Sequence, residues 1–145
     1  MNNHFAELGD VWKHLALAEI LCINPPRQYW GTHAGSAAYA LTESPSRLHG
    51  ALLFLSCAPC DPDLRDCAYL RDLRSSPGVY PGSPALALQA LGQSAIYLFC
   101  DVDPESAASL RIATSGFAHG AISKSGGRYA RQTKSRHAVK RDGWL

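Results

Sequence analysis

The sequence predicts an α/β fold with a parallel sheet, and two strand signals set among helical segments predict it. Gln28-Tyr29-Trp30 has the aromatic bulk of a strand and runs into the small-residue stretch Gly31-Thr32-His33-Ala34-Gly35-Ser36-Ala37-Ala38. Ala95-Ile96-Tyr97-Leu98-Phe99-Cys100 is a continuous apolar run suited to a buried parallel strand, and Asp101-Val102-Asp103 ends it. Helical spacing before, between and after these strands completes the order expected of parallel α/β structure.

Size and composition agree with a single globular domain. The chain has 145 residues, 46% hydrophobic and 18% charged, and no apolar run long enough to span a bilayer. The start, Met1 to Glu7, lacks the basic and apolar stretches of a secretory leader, so a cytoplasmic protein with no membrane partner is expected. Five cysteines, an odd number, read as reduced thiols in that setting. Cys57, Cys60, Cys67 and His49 have the residue types of a zinc site, but no second cysteine pair follows, and no metal is expected.

Along the chain, Asp10 is placed to cap a helix from Val11 toward Cys22, with Leu8, Val11, Leu15, Ala18 and Cys22 at three- and four-residue steps. Lys13 and His14 fall at the edge of that stripe. Asn24-Pro25-Pro26 stops the helix, because proline offers no N–H and restricts its predecessor. After the first strand and its loop, Thr42 to Ser46 is a turn, and Arg47 to Ser56 reads as a short buried helix. Asp61-Pro62-Asp63 looks like a helix start, followed by an amphipathic segment through Leu73. Tyr80-Pro81-Gly82-Ser83-Pro84 reads as a turn in which Ser83 caps a helix begun by Pro84 and closed by Gly92. Pro104 opens a further helix beyond the second strand.

From Thr114 on the apolar periodicity disappears. Residues 114–145 carry seven of the 14 Lys and Arg residues and one of the 12 acidic ones. The expected organisation is a cofactor-binding domain over 1–113 and a basic, flexible tail over 114–145, with one short strand at His137 to Arg141. Such a tail suits nucleic acid and suits plain solvation equally well.

Two features carry chemistry. Gly31 and Gly35 bracket a turn at the carboxyl end of a strand, where open α/β sheets bind ligands, although Gly-rich turns also simply reverse the chain. In Rossmann-like folds a carboxylate at the end of the next strand accepts hydrogen bonds from the ribose of a nucleotide-type cofactor. Asp101 stands at that position. It also stands near the N-terminus of the helix opened by Pro104, where a carboxylate is favourable without any ligand.

Several separated motifs, in order, resemble the bacterial S-adenosylmethionine-dependent adenine-N6 methyltransferases of large-subunit ribosomal RNA. Asp10-Val11-Trp12-Lys13-His14 is similar to that family's Asp-Val-Leu-Lys-His segment, and Thr32-His33-Ala34-Gly35 with Tyr39 is similar to its cofactor loop. Tyr80-Pro81-Gly82-Ser83-Pro84 matches a further element, Asp101 matches the acid ending the next strand, and Asp142-Gly143 matches a pair at the exit of the third strand. The likeness covers roughly residues 8–113 and, beyond them, that pair. It implies a Rossmann-like class I methyltransferase fold with an incomplete parallel sheet, and S-adenosyl-L-methionine as cofactor. The implied cofactor-binding residues are His14, His33, Ser83, Asp101, Asp142 and Gly143. The partner would be ribosomal or other RNA, met by Lys13, Lys124, Arg128 and Arg131.

Two departures bear on activity. Gly31 replaces an acidic residue of the family, and the catalytic Asp-Pro-Pro-Tyr that holds the target amino group is absent from this sequence, leaving the catalytic residues unknown. The expected function is therefore adenine-N6 methyl transfer to ribosomal RNA or the cofactor-binding fragment of such an enzyme, truncated before its catalytic motif. A non-catalytic nucleotide- or RNA-binding remnant is the alternative, and a small protein that pairs through an exposed sheet edge is a third class.

Overall fold

The structure, a computed structural model, describes residues 4–117 and the backbone of the strand 120–123. Helix α1 (Leu8–Ile23) leads into strand β1 (Gln28–Gly31), and a loop connects that strand to β2 (Ala38–Ala40). Helices α2 (Pro45–Leu48) and α3 (Ala51–Cys57) come next, followed by α4 (Ala68–Ser75), β3 (Val79–Pro81) and α5 (Ser83–Leu91). Strand β4 (Ile96–Cys100), helix α6 (Pro104–Thr114) and strand β5 (Gly120–Ser123) complete the order.

The central sheet is parallel, in the order β1-β4-β5. Its register sets Tyr29 beside Tyr97, Trp30 beside Leu98 and Gly31 beside Phe99. Because side chains alternate along a strand, Tyr29, Tyr97 and Phe99 share one face. They pack there with Leu21 of α1, Leu88 and Leu91 of α5 and Leu110 of α6. The opposite face carries Trp30 and Ile96, 65% and 49% exposed, with the half-buried Leu98 between the edges. A second core lies away from the sheet, where α1, α3 and α4 close over Tyr69, Leu70, Tyr80 and Leu86. The α/β class and the parallel sheet thus agree with the sequence.

Several boundaries differ from those expected, each for a local reason. Helix α1 begins at Leu8, with Glu7 as the N-cap, so Asp10 lies inside the first turn and pairs with Lys13 at 2.6 Å. The chain reverses at Ala6, whose positive φ of 61° lets its carbonyl accept the Ala51 N–H at 2.9 Å. Gly50 fits there because a Cβ would lie 2.3 Å from the same carbonyl, and it divides the expected single helix into α2 and α3.

Asp61 does not start α4. Its carboxylate accepts from the Asp63 N–H at 2.8 Å in a local turn, and the helix begins at Ala68, capped by the Cys67 sulfur. Ser83 is not the cap of α5 either: Gly82 is the N-cap, Ser83 is the first helical residue, and Gly92 closes the helix as expected with a φ of 54°. The Tyr80–Pro81 turn is half strand, since β3 pairs antiparallel with β2, an interaction that sequence did not announce.

Strand β5 falls within the segment expected to be a basic, flexible tail. Asp142, Gly143, Lys124, Arg128, Arg131 and the expected strand at 137–141 lie outside the described residues. All five cysteines are free, the described residues contain no cluster of metal ligands, and no described helix is long and apolar enough to cross a membrane.

Candidate functional site

The loop after β1 is fixed to the end of β4 by backbone chemistry. Ala34 donates its N–H to the Cys100 carbonyl at 3.0 Å, and Gly35 donates to Asp101 Oδ2 at 2.7 Å. The other carboxylate oxygen, Oδ1, accepts from the Asp103 N–H at 2.9 Å. One side chain therefore ties the β1 loop to the turn that opens α6. A carboxylate offers roughly four acceptor positions, so these two bonds leave acceptor capacity for a hydroxyl-bearing ligand.

Gly35 has a φ of 67°, the left-handed region that glycine occupies without strain. Tyr39 covers it: the phenol oxygen lies 2.6 Å from where a Cβ would stand and accepts the Ser36 N–H at 2.9 Å. Burial raises the Tyr39 pKa, so the phenol stays neutral. Gly31, beside Phe99, leaves a Cβ only 3.2 Å from that ring. At the neck of the loop, small residues are a packing requirement.

Helix α6 holds the loop from one side. Ser36 Oγ donates to Ser106 Oγ at 3.2 Å, and the Ala37 N–H reaches Ser109 Oγ at 3.2 Å. Asp103 caps α6 by accepting from both the Ser106 N–H and its hydroxyl, at 2.9 and 2.8 Å, and those bonds lower the Asp103 pKa. Gly82 approaches from the other side: its N–H donates to the Ala37 carbonyl at 2.9 Å, and a Cβ there would sit 2.2 Å from the Ser36 carbonyl. Two motifs far apart in sequence, Gly31 to Ser36 and Tyr80 to Pro84, are thereby pressed together.

Of the residues singled out in the sequence, Asp101 and the His33 loop are adjacent. The His33 ring itself is exposed, with Nδ1 3.3 Å from Thr32 Oγ1. Burial raises the Tyr29 pKa, and the Ser83 side chain beside that phenol offsets part of the rise. His14 reaches the same region indirectly, its Nδ1 lying 2.7 Å from the Tyr80 hydroxyl, which also receives a bond from the Tyr69 hydroxyl at 3.2 Å. Burial holds the His14 pKa at about 4, so the ring is neutral, and it raises both tyrosine pKa values. Lys13 is exposed on α1 beside Asp10.

Tyr80, Ser106 and Ser109 are the residues that sequence reasoning missed as loop supports. The signal was the three-residue spacing of the serines in the first turns of a helix begun by Asp103-Pro104. Two clefts, of about 320 and 260 Å³, are lined instead by Ala37, Val79, Leu88 and Phe117 and by Val11, Leu53, Phe54 and Leu64. His14, His33, Ser83 and Asp101 line neither.

No family model matches the chain, and no curated protein matches it. Among solved structures it is similar to protein LPL1258 from Legionella pneumophila str. Philadelphia 1, described under the family model DUF519, with a TM-score of 0.64 and 22% sequence identity. The match covers 82% of this chain and 48% of that one, so this chain spans about half the length of that structure, and the likeness is one of fold.

Proposed function

We propose that the chain is the cofactor-binding part of an S-adenosylmethionine-dependent adenine-N6 methyltransferase acting on ribosomal RNA, built on a Rossmann-like sheet. The observation that carries this reading is the Asp101 carboxylate, held at the end of a parallel strand by the loop that follows its neighbour. When bound, the cofactor supplies an electrophilic methyl group on a sulfonium. Asp101 orients the ribose through its spare acceptor positions, while the exposed His33 ring borders the ligand. Ser83 and His14 act at one remove, the first through Tyr29 and the second through Tyr80, by keeping the loop and Gly82 in contact. Asp142 and Gly143 would accept and approach the adenine, and Lys13, Lys124, Arg128 and Arg131 would meet RNA phosphates.

Calorimetric titration with S-adenosylmethionine and with its demethylated product tests the reading. Saturable binding of both, weakened at least tenfold by Asp101→Ala with the fold intact, supports it. Absence of binding by a folded wild-type chain rejects it.

A further inference from the structure

We propose that Phe5 is a positioning residue: it braces the Tyr39 ring and through that ring keeps the β1 loop in the shape that the cofactor needs, a role that rests on the function proposed above. The Phe5 ring stacks on Tyr39 with centroids 4.5 Å apart and planes 18° from parallel, and it meets Tyr80 at 6.2 Å. Tyr39 passes the contact on. Its hydroxyl accepts the Ser36 N–H at 2.9 Å and covers Gly35, whose own N–H donates to Asp101 at 2.7 Å. A chain of direct contacts therefore runs from the segment before α1 to the carboxylate at the end of β4.

Backbone pairing does not fix that ring by itself. Tyr39 lies in β2, three residues long and paired with the equally short β3, and a two-stranded ribbon is marginal without packing. The pairing sets Tyr39 opposite Tyr80 and leaves its side-chain torsions to whatever packs on the ring. Phe5 is what stacks there.

The chain accepts backbone strain to put Phe5 in place. Ala6 is fully buried at a φ of 61°, a region that side chains disfavour and that persists where the surroundings hold it. Its carbonyl is tied to the Ala51 N–H, and Arg47 fastens the residue before it. The guanidinium carbon lies 3.9 Å from the Phe5 ring centroid, Nε donates to the Phe5 carbonyl at 3.4 Å, and Nη1 donates to Thr42 Oγ1 at 2.7 Å. Segments ahead of a first helix ordinarily fray. This one is fastened through Ala6, Arg47 and Tyr39, and the last of these holds the loop.

Amide hydrogen exchange of the full chain, together with calorimetric titration of the demethylated product of S-adenosylmethionine, is the test. Apparent affinity falls with the fraction of chains whose loop is already set, so Phe5→Ala should weaken binding roughly fivefold. In the same variant the Gly35 and Ser36 amides should exchange at nearly unstructured rates while the β4 amides stay protected. Arg47→Ala, on another element, should move both readouts in the same direction, so misfolding of one variant leaves the other decisive. Phe5→Tyr keeps the ring and should stay within about twofold of wild type in affinity. Unchanged exchange at Gly35 and Ser36 in both alanine variants overturns the proposal. So does equal acceleration throughout β4, which marks general loosening, or wild-type affinity in Phe5→Ala, or failure of Phe5→Tyr to restore binding. A folded wild-type chain that binds no cofactor rejects the proposed function instead; loss of loop protection in Phe5→Ala then supports the brace by itself, and retained protection overturns it.

Discussion

The Gly35 amide points at the Asp101 carboxylate from 2.7 Å, joining the loop after one parallel strand to the end of its neighbour across 66 positions of sequence. A backbone hydrogen bond to an ionised group contributes about 1.5–3 kcal/mol, more than a neutral bond, and leaving the amide unpaired in a half-buried setting forfeits most of that. Asp101→Ala should therefore destabilise the chain by about 2 kcal/mol in urea unfolding. Asp101→Asn keeps the shape and an acceptor for one of the two amides but turns its NH2 toward the other, so it should recover at most about half of that loss. No measurable loss from Asp101→Ala would show that this side chain does not hold the loop.

Gly35 itself carries a separable cost. A side chain there meets an unfavourable positive φ and a phenol oxygen 2.6 Å from its Cβ. Gly35→Ala should cost about 2–3 kcal/mol, the sum of left-handed strain and the displaced Tyr39 ring. Tyr39→Phe removes the oxygen but leaves the Ser36 amide without its acceptor, at about 1 kcal/mol. The double variant should be less destabilised than the two single costs together, because the phenylalanine no longer collides. Additivity in a double-mutant cycle would show that the ring moves aside freely.

What could be read in the sequence was whatever depended on one stretch at a time. Ile96 to Cys100 is a strand because it is apolar throughout, and Asp101 was legible as the polar residue at its end. The pairing of β2 with β3 was not legible: each is three residues long, one contains Pro81, and only the fold brings Tyr39 opposite Tyr80. The start of α4 was missed for a similar reason, since Asp61 makes a turn with Asp63 instead of capping a helix. The resemblance implied that His14 touches the cofactor; its side chain hydrogen-bonds the Tyr80 hydroxyl, a contact that requires three elements to pack.

Gly82 marks the contact that sequence could least foresee. Its hypothetical Cβ falls 2.2 Å from the Ser36 carbonyl, a backbone atom that no rotamer change can move. Gly82→Ala should push α5 away from the β1 loop and cost more than about 2 kcal/mol, the range of overpacked cores. Gly78→Ala is the comparison: unlike Gly82, Gly78 has a positive φ, 78°, and nothing lies within 4 Å of a Cβ there, so only backbone strain of about 1 kcal/mol should appear. Thermal unfolding of the pair separates the effects, and a Gly82 variant no less stable than the Gly78 one would mean that the two motifs are not in tight contact.

In the folded chain Tyr69 donates to Tyr80, and Tyr80 in turn donates to His14 Nδ1, an order that holds only while that nitrogen is an acceptor. Protonation makes Nδ1 a donor and places a charge against buried rings. Desolvation accordingly lowers the pKa of His14 from 6.5 to about 4. Between those values the unfolded chain binds the proton and the folded chain does not, so acid favours unfolding. The contribution is complete above pH 6.5, declines as the pH falls, and is exhausted below about 4, amounting to roughly 2–3 kcal/mol over that window. His14→Gln keeps an acceptor for the Tyr80 hydroxyl without a titrating ring. Its unfolding free energy should fall less steeply than that of the wild type between pH 6.5 and 4, whereas parallel slopes would place the acid sensitivity in other groups.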